Sequence, residues 1–131
     1  GWVVCIISDD PSSVREMMRG AAGHSVANSP AEEIEILGLD PGEVAEVREA
    51  YRSGGREKTV PLVTDEMIED FYIIDTPEGA ARRIRALMEA GITEFNVLMP
   101  AGGAGGSYGV SGFDHRKNLE RFAQEVIPLL A

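Results

Sequence analysis

The stretch FYIIDTPEGAARRIRALMEAGITEFNVLMPAGGAGG, Phe71 to Gly106, reads as a helix, a tight turn, a strand and a glycine-rich loop. Thr76 is placed to cap the helix, its hydroxyl accepting from the first free amides. Pro77 suits the first helical position, where a missing N–H costs nothing. Ala80, Ala81, Ile84, Leu87 and Met88 recur at helical spacing and make one apolar face. Gly91 supplies the left-handed residue that turns the chain back. Phe95–Met99 is then a short strand ended by Pro100, and six glycines follow between Gly102 and Gly112. A helix, a glycine, a strand and a loop at the strand's carboxyl end are α/β grammar, and such folds put ligands in those loops.

Working outward, Trp2–Ile7 is a continuous, β-branched apolar run, expected to be a strand buried on both faces in a parallel sheet. Ser8, Asp9 and Asp10 close it. Asp10 with Pro11 starts a helix whose apolar positions are Val14, Met17, Met18, Ala21 and Ala22, and Gly23 is expected to end it. From His24 to Glu69 the pattern is helical, with starts at Ser29-Pro30, Asp40-Pro41 and Thr64-Asp65. Val44, Val47 and Tyr51 face inward on the second of these. A last helix from about Asp114 carries the stripe Leu119, Phe122, Ala123, Val126, Ile127 and Leu130, with Pro128 bending or fraying its end.

Two strands, near 2–7 and 94–99, are thus expected in parallel, separated by a long helical stretch. Two strands alone leave both edges open. Either further strands lie in the middle, or the chain is the end of a larger α/β fold, which is the reading adopted. The chain starts at a strand and not at a methionine, which suggests that something precedes it.

With 131 residues the chain makes one domain or a segment of one. Its net charge of −10 argues against nucleic acid or an anionic membrane as the main partner. Cys5 is the single cysteine, so neither an intrachain disulfide nor a cysteine zinc site is available, and its apolar setting predicts an inert thiol. No stretch is apolar enough to span a bilayer, and no basic-then-apolar leader opens the chain. A cytoplasmic protein is expected.

Three sets of residues are candidates for chemistry. Asp9 and Asp10 after a buried strand resemble the acidic pair of receiver domains, where adjacent carboxylates hold magnesium beside a phosphoryl-accepting aspartate. Asp40 is the only aspartate near the acceptor's place, and no strand precedes it. The competing reading makes Asp10 a helix cap and Asp9 a charge favourable to the helix N-terminus. The loop after Met99, with Gly102, Gly103 and Tyr108, either lies over a ligand or is a surface connection; it fits no phosphate-binding glycine motif. His24 and His115 sit near helix ends without metal-ligand spacing.

The pattern Phe71-Tyr-Ile-Ile-Asp-Thr-Pro-Glu-Gly-Ala, its helix ending Glu89-Ala-Gly-Ile, and the tail Leu119-Glu-Arg-Phe-Ala-Gln-Glu-Val-Ile-Pro128 resemble the C-terminal signature of the bacterial-luciferase-like superfamily. That family usually has Gly where Asp75 stands and often Glu where Gly79 stands, and a shorter loop than Ala101–Gly112. The resemblance implies an α/β, helix-rich C-terminal portion of a (β/α)8 TIM barrel. It further implies FMN or coenzyme F420 at the barrel mouth, and an oxidoreductase or monooxygenase acting on a small molecule, homodimeric when full length. The usual catalytic residues of the family lie on earlier strands, so none is carried over. Ser8, Asp9, Met99, Gly102, Gly103 and Tyr108 are the residues here that a barrel would place at the mouth.

Overall fold

In the computed structural model the strand Trp2–Ile7 (β1) lies at the centre of a parallel sheet. The structure describes residues 2–98 and 113–131. β1 leads into α1 (Pro11–Asn28), followed by α2 (Ala31–Leu37), α3 (Pro41–Gly54), the single turn α4 (Arg56–Thr59), a 3-10 turn (Val60–Leu62) and α5 (Asp65–Phe71). Then come β2 (Tyr72–Asp75), α6 (Pro77–Glu89) and β3 (Asn96–Leu98). The chain closes with α7 (His115–Arg121), a π-helical turn (Phe122–Val126) and α8 (Ile127–Leu130).

The strand order is β2-β1-β3, all parallel. β1 meets β2 from Val4↔Tyr72 to Ile7↔Asp75, and meets β3 from Trp2↔Asn96 to Val4↔Leu98. The expected strands at both ends are therefore present and parallel, and a third, β2, joins them. Sequence reading missed it because Tyr72-Ile-Ile-Asp is four residues long and follows α5 with no turn residue between. Periodicity cannot separate so short an apolar run from a helix end. In a (β/α)8 barrel consecutive strands are neighbours; β1 and β2 obey this, whereas β3 takes the other edge of β1.

The chain divides into two compact units, Gly1–Val14 with Tyr72–Ala131, and Arg15–Phe71. In the first, Cys5, Ile7 and Ile73 on one face of the sheet pack with Ala80, Ala81 and Ile84 of α6 and with Phe122 and Val126. Val4, Ile6, Tyr72 and Ile74 are buried as well, which explains why β1 reads as a continuous apolar run. The C-terminal stripe is narrower than its sequence suggests. Phe122 and Val126 are buried, but Leu119 is 55% and Ile127 51% exposed. The buried position preceding Phe122 belongs to a polar residue, Asn118. The helix continues through Pro128 to Leu130, and a π turn precedes the proline. Its ring crowds the carbonyl four residues back and it gives no N–H, and the Ile127 N–H bonds instead to the carbonyl of Phe122, five back.

In the second unit α1 does not stop at Gly23 but runs on to Asn28. Gly23 lies inside the helix because Thr59, fully buried, packs on it; a Cβ there would collide with the Thr59 hydroxyl. Gly38 (φ 72°) and Gly55 (φ 70°) end α2 and α3 in conformations that favour glycine. His24 stands edge-on to Tyr51, with Nδ1 2.7 Å from its hydroxyl.

Candidate functional site

The carboxyl end of β1 opens on a cleft of about 380 Å³ in the first unit. That volume lies within the roughly 300–1,000 Å³ typical of small-molecule sites. Its wall combines Ser8, Asp9 and Asp10 with Asp114, Lys117, Asn118 and Arg121 around α7. Ser8 is held from two sides. Its N–H donates to the Asp75 carbonyl at 3.0 Å, continuing the β1–β2 ladder, and its Oγ accepts from the Asp10 N–H at 3.0 Å.

Asp10 is a cap. It accepts from the Ser13 N–H at 3.4 Å and the Ser13 hydroxyl at 2.5 Å, and these bonds hold its carboxyl below the usual range. Asp9 turns the other way and meets the Arg121 guanidinium at 2.8 Å. Arg121 also grips Glu125, and the two carboxylates, Glu125 foremost, hold the guanidinium charged well beyond its ordinary range. The acidic pair is thus split between a helix cap and an ion pair. Among the described residues no three His, Cys, Asp or Glu side chains gather to hold a metal ion. Asp40, the acceptor a receiver domain would need, caps α3 by accepting from the Glu43 N–H at 2.9 Å. Nothing here favours the receiver reading.

Asn118 is the residue that sequence reading missed. Its side chain, buried at the edge of β1, accepts from the Ile7 N–H at 2.8 Å and donates to the Cys5 carbonyl at 2.9 Å. The signal was an asparagine four residues before Phe122 and eight before Val126, on the buried line of the last helix.

Of the residues picked from sequence, Ser8 and Asp9 line the cleft. Met99, Gly102, Gly103 and Tyr108 lie outside the described residues. Burial pushes the Cys5 thiol up to about 12, as fits an inert thiol.

The familiar turn before α6 is built as expected, with the Thr76 hydroxyl accepting from the Gly79 N–H at 3.3 Å and Pro77 opening the helix. The two departures from the family pattern are one feature. A Cβ at Gly79 would overlap the Asp75 carboxylate, which accepts from the Thr76 N–H at 2.8 Å. A carboxylate at 75 therefore requires its absence at 79.

No family model matches the chain. Among curated proteins, 5,10-methylenetetrahydromethanopterin reductase of Archaeoglobus fulgidus is 32% identical over 95% of this chain and 36% of its own length. The enzyme of the same name from Methanopyrus kandleri is 30% identical over 93% of this chain and 32% of its own. Among solved structures, the coenzyme F420 dependent tetrahydromethanopterin reductase of Methanopyrus kandleri superposes with a TM-score of 0.80 at 27% identity, over 99% of this chain and 35% of that one. The chain is a relative of these F420-dependent reductases of the luciferase-like superfamily. It spans about a third of their length. Its helix-rich α/β fold with a parallel sheet matches one part of that TIM-barrel enzyme. No helix among the described residues is long and apolar enough to cross a membrane.

Proposed function

We propose that this chain is the C-terminal barrel segment of a cytoplasmic F420-dependent oxidoreductase, homodimeric when full length. The observation that carries the reading is the likeness to reductases of one name over nearly all of this chain. The activity for which those relatives are named supports hydride transfer to a methylene-bearing pterin carrier as the specific reaction. F420 is favoured over FMN because the matched structure is named for it. The reductase names likewise favour hydride transfer over oxygen insertion.

The cleft at the end of β1 suits a polar organic ligand. The Ser8 hydroxyl, Lys117 ammonium and Arg121 guanidinium offer donors, and Asp9 and Asp114 offer acceptors. When bound, a deazaflavin supplies the two-electron hydride chemistry; the protein's share is to hold, orient and shield it. In this reading Ser8 and Asp9 form one side of the mouth, and the segment with Met99, Gly102, Gly103 and Tyr108 contributes another. Fluorescence titration of the full-length protein with F420 and with FMN tests this. Saturable binding of F420 with none of FMN is expected; binding of FMN alone, or of neither, defeats the proposal.

A further inference from the structure

We propose that Asn118 is a positioning residue for the cleft at the carboxyl end of β1, a role that rests on the function proposed above. In a parallel sheet, the residue facing Ile6 from a neighbouring strand would give its N–H to the Cys5 carbonyl and take the Ile7 N–H on its own carbonyl. The Asn118 primary amide makes both bonds, Nδ2 to the Cys5 carbonyl at 2.9 Å and Oδ1 from the Ile7 N–H at 2.8 Å. One side chain stands in for one peptide of a strand.

It does so on the edge where β3 pairs, whose last described step is Val4↔Leu98. From the side of that edge Asn118 satisfies two buried backbone groups of β1. The last residue it holds, Ile7, directly precedes Ser8 and Asp9. One helical turn on from Asn118, Arg121 pairs with Asp9 at 2.8 Å. Helix α7 thus grips the strand end and the turn beyond it at two points. The β2 edge adds a third, the Ser8 N–H to the Asp75 carbonyl. The pose of Ser8 and Asp9 follows from these, and Asn118 is the buried member.

The test uses full-length protein carrying Asn118→Leu, Asn118→Asp or, as a control that destabilises the other unit, Asp40→Ala. F420 affinity, kcat at saturating F420 and Tm are measured on each. Asn118→Leu should weaken F420 binding by about tenfold, as loss of an outer partner typically does, with kcat falling much less. Asp40→Ala should lower Tm and leave affinity unchanged. Asn118→Asp carries the donor only when protonated, so its affinity should approach the wild-type value as pH is lowered. This arm holds even where Asn118→Leu does not fold. Unchanged affinity in Asn118→Leu, or a pH-independent ratio of Asn118→Asp to wild type, overturns the positioning role. Wild-type protein that binds no F420 overturns the functional reading itself, and this role with it.

Discussion

At Gly79 the first turn of α6 has no room for a side chain, because the Asp75 carboxylate lies where a Cβ would stand. Gly79→Ala should therefore destabilise by about 1–3 kcal/mol, the usual range for overpacking. In an Asp75→Gly background the same change should cost little, since the obstacle is gone. A double-mutant cycle by urea denaturation reads the coupling; equal costs in both backgrounds would separate the two positions. His24 makes a second case. Burial, with the nearby Arg56 charge, lowers its pKa below the ordinary imidazole value of 6.5. The folded state thus prefers the neutral ring, whose Nδ1 can accept from the Tyr51 hydroxyl. That contribution is fully present above pH 6.5 and is lost as pH falls through the lowered value. Tm should fall on acidification below pH 6.5, and His24→Gln should flatten that slope; an unchanged slope would assign it to other groups.

Helix α6 shows how local chemistry builds an element. Thr76 caps it, Pro77 opens it, and Ala80, Ala81 and Ile84 bury one face beside Cys5, Ile7 and Ile73. Thr76→Ala should cost about 1 kcal/mol, read as a shifted denaturation midpoint with an unchanged m-value. These features were legible because caps and apolar spacing are local. So were β1 and the starts of α2 and α3 at Pro30 and Asp40. What could not be read depended on distant partners. Gly23 looks like a helix stop until Thr59 is seen packed on it. β2 looks like a helix tail until β1 pairs with it. Asn118 looks like a surface residue until its amide meets β1, more than a hundred residues away in sequence. At the candidate site, Ser8 and Asp9 could be named from their place after a strand. Their partners Asp75 and Arg121 could not, because contacts across the fold set them.

For the whole molecule, the parallel sheet with two outer strands matches one part of a barrel enzyme about three times its length. Edge strands invite pairing, and a longer chain would supply partners for them. The functional proposal belongs to that larger protein. Under that proposal the cleft beside β1 would form one wall of a mouth whose other walls come from elsewhere. The most direct test is turnover by the full-length protein. Reduced F420 and methylenetetrahydromethanopterin are mixed with it, and the return of oxidised deazaflavin absorbance is followed against a control without the pterin. Pterin-dependent, saturable oxidation of reduced F420 is predicted. Absence of oxidation with F420, together with turnover when reduced FMN replaces it, would contradict the account.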